Sequence, residues 1–375
     1  MTKTFHNPTE RLVKNGARFE LRGELSKINP KNILLITGSK TFLKSIYYND
    51  LQDCLNSFNH SDPLTISETP TEEFVQKKWN ELKKKNYDTI VVVGGGSALD
   101  FAKALAALLV QKKGTLKEFL SNKRKLEGTP LPLIALPTTA GTGSEVTQYA
   151  SIETRDKQKL SFTDEKLFPK IALVDPELTH SMPPYLTACT GFDAICQAIE
   201  SYWSRNRTEH SEKHAVRAIP LLLRHIERVI LQPNDKDARF QMSYASSEAG
   251  FAIAETKTTA VHSVSYPITT YFKVPHGHAC GLTLAPFIRF NASALMGERG
   301  AKLYELMGVS SAENAARLIE DLMKRIGLEQ RLSKLGINSK GTHLIIQNGF
   351  RPDRVKNNPR TLTPEELKKI LESIA

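Results

Sequence analysis

The sequence predicts an α/β domain followed by an all-α domain. Apolar runs of buried-strand type alternate with helical patterns through the first half of the chain. From Pro183 onward, helix follows helix with few β-branched runs between them. A length of 375 residues accommodates two domains.

The strands are read in order. Asn32 to Thr37 (NILLIT), Thr89 to Val93 (TIVVV) and Leu131 to Leu136 (LPLIAL) are continuous apolar runs, as expected when both faces of a sheet are covered. Helical patterns at Thr71 to Lys85 and Ala98 to Lys112 separate them, so the sheet is parallel with right-handed crossovers. The pattern ends near Val174, Asp175 and Pro176, which sets a Rossmann-like α/β domain at residues 1–178 and a helical domain at 179–375. The second domain reads as helices Phe192 to Ser204, Ser211 to Val229 (kinked at Pro220), Ala238 to Ala254 and Ala312 to Ile326. The two halves are expected to pack closely around a cleft, where small-molecule sites tend to lie.

Composition excludes several function classes. With 40% hydrophobic and 24% charged residues the chain is ordinary for a soluble globular protein, and no apolar run is long enough for a membrane span. The leading segment MTKTFHNPTERLVKNG lacks an apolar signal core. Cys54, Cys189, Cys196 and Cys280 show no CxxC spacing, so reduced thiols and a cytoplasmic location are expected. The formal charge of +11 is spread over short clusters with no interleaved aromatics. That pattern predicts no nucleic-acid partner and a field that draws in anionic cofactors or substrates.

TIVVVGGGSALDFAKALAAL runs strand, glycine turn, helix. Gly94, Gly95 and Gly96 let backbone N–H groups approach an anion, with Ser97 expected at the helix N-cap and the helix dipole behind it. A second loop, Pro137 to Thr147 (PTTAGTGSEVT), has no lysine after its second glycine and is not a Walker A loop. Its Thr138, Thr139 and Thr142 are suited to line a dinucleotide. After the first strand come Gly38, Ser39 and Lys40, where an NAD-binding sheet usually offers a carboxylate to the ribose. Nothing there repels a 2′-phosphate, so NADP(H) is expected over NAD(H).

The segment TKTTAVHSVSYPITTYFKVPHGHA (Thr256 to Ala279) carries the metal argument. His262 and His276 lie fourteen residues apart, which on one unbroken helix is roughly 21 Å. Pro267 and Pro275 are expected to break the helix and bring the imidazoles together. In GFDAICQAIESYWS, Asp193 and Gln197 share a helix face. Asp193 is a hard oxygen ligand and Gln197 offers a neutral amide oxygen. Two histidines and one carboxylate suit Fe²⁺ or Zn²⁺ with positions open for substrate.

GGGSALDFAKA, LPTTAGTGSEVT, VDPEL, TGFDA and then VH with PHG fourteen residues on occur here in one order. In this the chain resembles the iron-containing (group III) alcohol dehydrogenase family over nearly its whole length, down to the closing NPRTLTPEEL. The resemblance implies a dehydroquinate-synthase-like architecture, a divalent metal in the cleft, and a homodimer. Gly94, Gly95, Gly96, Ser97, Asp100, Thr138, Thr139, Thr142, Lys159 and Leu178 then line the cofactor. Asp193, His262 and His276 hold the metal.

Three departures from the family pattern are informative. Gln197 stands where the family usually has a histidine ligand, leaving a weak or absent fourth ligand. Tyr266 stands where a second histidine usually serves a proton relay, so Tyr266 or water must deliver the proton. TKTT replaces small residues, often glycine, before His262, which puts Lys257 and Thr258 near the substrate. A cation beside hydroxyls suits phosphonate oxygens. In these segments the chain resembles the phosphonoacetaldehyde reductase branch, which makes 2-hydroxyethylphosphonate. The expected reaction is NADPH-dependent reduction of a small anionic aldehyde, with His278 a further residue in reach of substrate. A broad aliphatic aldehyde reductase is the alternative. A lyase on the dehydroquinate-synthase scaffold is disfavoured by the absent NAD-type carboxylate, and a metal-free binding protein by the retained Asp193, His262 and His276.

Overall fold

The computed structural model describes residues 5–375; the first four residues of the leading segment, expected to lack a signal core, lie outside them. By contacts the chain divides into two units. One takes the chain up to Thr139 together with Ser144–His180; the other takes Ala140–Gly143 with Ser181–Ala375.

The first unit is built on six parallel strands. They are β1 (Glu10–Val13), β2 (Ile33–Thr37), β3 (Leu64–Thr65), β4 (Thr89–Gly94), β5 (Leu133–Pro137) and, beyond the antiparallel pair β6 (Tyr149–Glu153) and β7 (Lys159–Thr163), β8 (Ile171–Val174). The sheet order is β1-β8-β5-β4-β2-β3. The three apolar runs are its centre, β2, β4 and β5, and every residue in them is buried. Alternate residues enter opposite layers: Leu34, Ile36 and Val92 pack with Trp79, Phe101 and Leu105, while Ile33, Leu35 and Val91 pack with Leu25 and Leu51. The helices are α1 (Leu21–Ile28), α2 (Ile46–Leu55), α3 (Glu72–Leu82), α4 (Gly96–Leu108) and α5 (Leu116–Leu120). In α3 the Thr71 hydroxyl accepts from the Phe74 amide at 3.2 Å, and Val75, Trp79 and Leu82 form the buried stripe. Strands β1, β3 and β8, four residues or fewer, were not anticipated. Runs so short carry almost no periodicity.

One buried cation fixes the loop after β5. Lys103 of α4 donates Nζ to the Ser144 carbonyl at 3.0 Å, to the Thr147 carbonyl at 3.3 Å and to the Tyr149 carbonyl. Asp100 lies 3.3 Å away and also accepts from the Ser144 hydroxyl at 2.5 Å and the Ser151 amide at 2.8 Å. Burial pushes the Lys103 pKa down, against the charge of Asp100. Lys103→Met strands these acceptors without a donor. It is expected to cost about 3–5 kcal/mol in urea unfolding, and an unchanged midpoint would show that solvent replaces the ammonium.

The second unit is helical. Its helices are α6 (Pro184–Trp203), α7 (Glu209–Leu231), α8 (Lys236–Thr256), α9 (Ala260–Phe272), α10 (His276–Asn291), α11 (Glu298–Leu306), α12 (Ala312–Arg325), α13 (Ser339–Asn348), α14 (Pro352–Val355) and α15 (Pro364–Glu372). Phe192, Ile195, Ile199 and Trp203 of α6 sit at the middle of one apolar core with Ala218, Met242, Val261 and Phe287. Helix α6 starts eight residues before the expected Phe192, because Pro184 is a favourable first helical residue and Thr187, Ala188, Cys189 and Gly191 are buried. Helix α7 continues through Pro220. Among the described residues no helix is long and apolar enough to cross a membrane.

Candidate metal centre

One break, not two, brings the histidines together. Pro267 lies inside α9, at the cost of one backbone hydrogen bond. The chain turns after it, where Lys273 takes a left-handed conformation (φ 59°, ψ 20°) and Pro275 caps α10. His276 is the first residue of α10, and its ring centroid is 5.2 Å from that of His262. Asp193 reaches both from α6: its Oδ1 is 3.1 Å from His262 Nε2 and 3.9 Å from His276 Nε2.

Close approach of α10 to α6 depends on Gly277. A Cβ there would stand 1.8 Å from the Cys189 carbonyl oxygen and 3.0 Å from the Asp193 Cβ. Only glycine lets the two backbones meet at this point, and the meeting sets His276 beside Asp193.

Glu200, not anticipated, organises the far side of the cluster. It is fully buried. Its Oε1 accepts from the Thr259 amide at 2.9 Å, the Thr259 hydroxyl at 2.7 Å and the His262 amide at 3.3 Å, so it satisfies the start of α9. Its Oε2 pairs with His262 Nδ1. That bond keeps a proton on Nδ1. Without metal, Nε2 bonds Asp193 Oδ1, and a bound metal would take Nε2 as its ligand atom in place of the proton shared with Asp193. Sequence spacing carried a signal, since Glu200 follows Asp193 by seven residues and Gln197 by three on one helix face.

Cys280, one turn after His276, completes a cluster of four. The ligating atoms of Asp193, His262, His276 and Cys280 all lie within 4.8 Å of one another. Burial raises the Cys280 thiol, yet the bond from Cys196 and the charges of His262 and His276 hold it well below its ordinary value. Burial likewise lowers His262, while the charges of Cys280 and Glu200 and the bond to Asp193 hold it well above its ordinary value. Donor atoms on a tetrahedral metal with bonds of about 2.0–2.3 Å lie about 3.3–3.8 Å apart. The set therefore fits a divalent cation after small adjustments. Gln197 supports the fit: its Nε2 donates to the Thr142 carbonyl at 3.3 Å, while its buried Oε1 has no hydrogen-bond partner among the described residues.

Other expected site residues are placed as follows. Tyr266 stacks on His276 with centroids 5.7 Å apart and planes at 6°, and the Arg351 guanidinium lies 5.9 Å from its ring. Lys257 ends α8 with φ 59° and ψ 174°, a conformation that favours glycine. Thr258 is buried and its carbonyl accepts from Asn357 Nδ2 at 3.1 Å. His278 meets Tyr185 Oη through Nδ1 at 3.0 Å and the Glu329 carbonyl through Nε2 at 2.7 Å. Both nitrogens are committed within the protein, which corrects its expected reach to substrate.

In the first unit the glycine turn forms a tight cradle. A Cβ on Gly38 would stand 2.8 Å from the Gly94 Cα, and the Gly38 amide donates to the Val93 carbonyl at 2.8 Å. Gly95, not Ser97, caps α4; Gly96 and Ser97 are its first two residues and no side chain caps the end. The Gly96 and Ser97 amides thus keep their capacity for an anion such as a pyrophosphate, while the Ala98 amide donates to the Gly95 carbonyl at 3.0 Å. Thr139 approaches this turn, its Cγ2 being 3.2 Å from where a Gly95 Cβ would be, and the Thr138 amide donates to the Gly94 carbonyl at 3.0 Å. Ser39 accepts from the Phe42 amide at 3.1 Å and Lys40 is exposed. Lys159 opens β7, opposite Glu153. Leu178 is buried in the core beside Leu173, and Thr142 belongs to the second unit.

Comparison with known proteins gives consistent matches. Residues 8–176 match the family model described as iron-containing alcohol dehydrogenase, and residues 187–375 match that of the C-terminal part of the Fe-containing alcohol dehydrogenase family. The NAD-dependent methanol dehydrogenase of Bacillus methanolicus is 30% identical over 98% of this chain and 99% of its own length. The 4-hydroxybutyrate dehydrogenase of Cupriavidus necator is 30% identical over 95% of this chain and 96% of its own. The crystal structure of sulfoacetaldehyde reductase from Bifidobacterium kashiwanohense in complex with NAD⁺ superimposes with a TM-score of 0.93 at 31% identity, covering 100% of this chain and 99% of that one.

Proposed function

The chain belongs to the iron-containing alcohol dehydrogenase family of NAD(P)-dependent enzymes, and on that premise we propose that it reduces a small anionic aldehyde to a primary alcohol. Phosphonoacetaldehyde is the proposed substrate and 2-hydroxyethylphosphonate its product, with NADPH as the preferred donor. The balance is aldehyde, NADPH and one proton to alcohol and NADP⁺.

Asp193, His262 and His276 would hold the metal. When bound, the metal supplies Lewis-acid polarisation of the carbonyl oxygen. Glu200 keeps His262 in the required tautomer. Tyr266, fixed against His276, is the proposed proton donor to the alcohol oxygen as hydride reaches the carbonyl carbon. The glycine cradle at Gly94 to Gly96 would take the pyrophosphate. Ser39 and Lys40 are the proposed contacts of a 2′-phosphate.

The observation that carries the substrate class is the backbone of Lys257. A lysine held at φ 59°, ψ 174° costs of order 1–3 kcal/mol over glycine. Such a cost is retained at functional positions. Lys257 is only partly exposed and precedes Thr258 and Thr259, the latter tied to Glu200. Two relatives whose names carry anionic substrates, a sulfonate and a carboxylate, support the same reading.

NADPH and NADH oxidation with phosphonoacetaldehyde, sulfoacetaldehyde, propanal and lactaldehyde tests the proposal. Equal kcat/KM on all four sinks it in favour of a broad aliphatic reductase, and a preference for sulfoacetaldehyde moves the tail to a sulfonate. Lys257→Gly is expected to raise KM for the anionic aldehyde by about 10-fold or more, from loss of a charge-assisted bond. It should leave propanal little changed and raise thermal stability by relieving the backbone. Equal losses on both aldehydes would remove Lys257 as the anion contact. Burial, and then the charge of Arg354, lowers the Lys257 pKa. The ammonium therefore loses its proton at lower pH than an ordinary lysine. KM for sulfoacetaldehyde, whose charge is constant, should rise toward alkaline pH while that for propanal stays flat.

A further inference from the structure

Gln197 offers a neutral amide where a fourth strong ligand would be expected, and Cys280 belongs to the same cluster as Asp193, His262 and His276. We propose that Cys280 is a protein ligand of the metal, completing an Asp193, His262, His276 and Cys280 set. This rests on the metal dependence of the proposed reaction and not on the identity of the aldehyde.

Cys280 follows His276 by one helical turn, so both side chains share a face of α10. Its Sγ is 4.0 Å from His276 Nε2 and within 4.8 Å of the ligating atoms of His262 and Asp193. Cys280 is fully buried, so its sulfur meets protein groups rather than bulk water. The buried Cys196 thiol, on α6 next to Gln197, is close enough to Cys280 to act as an outer-shell donor to a coordinated sulfur. The unpartnered, buried Oε1 of Gln197, four residues after Asp193, independently marks a place that calls for a cation. Gln197 is the weaker candidate for the fourth bond. It offers a neutral amide oxygen, a weaker donor than a thiolate for Zn²⁺ or Co²⁺. A thiolate gives a shorter list of suitable ions: it favours Zn²⁺ and Co²⁺ over Mn²⁺ and Mg²⁺. On binding, the sulfur–metal bond forms as one proton leaves the cluster for solvent.

Cobalt-substituted full-length protein tests the proposal without an activity measurement. The wild type should show a thiolate-to-cobalt charge-transfer band in the near ultraviolet. Gln197→Ala should retain the band and Cys280→Ser should lose it. Zinc affinity, read by chelator competition, should fall by at least about 100-fold in Cys280→Ser, since removing a ligand exceeds the ~10–100-fold cost of losing an outer-shell partner. Stoichiometric cobalt in the wild type with no such band overturns the proposal, whether or not the serine variant folds. So does a serine variant with undiminished zinc affinity. A positive band with no turnover of anionic aldehydes would uphold the ligand set and fail only the substrate reading.

Discussion

Glu200→Gln is expected to lower metal affinity by at least about 10–100-fold, the cost of losing an outer-shell partner of a ligating histidine, while leaving the fold intact. The substitution is isosteric, so packing around it is unchanged. Chemistry alone is altered. In the native protein one carboxylate accepts on both oxygens, from Thr259 and the His262 amide on one side and from His262 Nδ1 on the other. A glutamine can accept on one side only. With its NH₂ toward His262, two donors face each other unless the imidazole moves its proton to Nε2, which blocks that nitrogen as a ligand. With its NH₂ toward Thr259, the buried amide and hydroxyl lose their acceptor. Zinc titration of Glu200→Gln beside the wild type, with circular dichroism as the folding control, measures the effect. Equal affinities would mean that Asp193 and the other ligands fix the tautomer by themselves.

Gly277→Ala is expected to destabilise the protein by about 3 kcal/mol or more, at or above the usual range for overpacking. The added methyl would overlap the Cys189 carbonyl oxygen at 1.8 Å and its carbon at 2.8 Å. Both are backbone atoms of α6, so no rotamer change relieves the clash and the helices must separate. His276 is the adjacent residue and Asp193 the facing one, so the separation opens the cluster as well. Loss of stability in urea and loss of bound metal should therefore appear together. A folded variant with full metal content would show that α10 can slide without displacing His276.

The two glycine features illustrate how differently sequence speaks about chemistry. Gly94 to Gly96 were legible because they follow an apolar strand and open a helical pattern, a local signal. Gly277 was read only as part of a Pro-His-Gly turn, because its partner, Cys189, is 88 residues away in the chain. Proline was over-read for the same reason. Pro267 looked like a helix breaker, yet α9 runs through it, held by buried Val264 and Ile268 on either side. Ser97 looked like a cap, yet Gly95 caps the helix and α4 starts at Gly96, two residues before the expected Ala98.

Periodicity and ordered motifs by themselves determined the α/β and all-α division, the buried central strands, the family, and Asp193, His262 and His276 as one set. These are written in local runs and in motif order. Tertiary structure alone decided that Glu200 sets the His262 tautomer, that Cys280 joins the cluster while both His278 nitrogens bond Tyr185 and Glu329, and that Lys257 sits in a glycine-type conformation. Each of these depends on contacts between residues far apart in the chain or on a single backbone angle. Neither leaves a period or a spacing to read, because the free energy involved comes from packing and desolvation at one point in space.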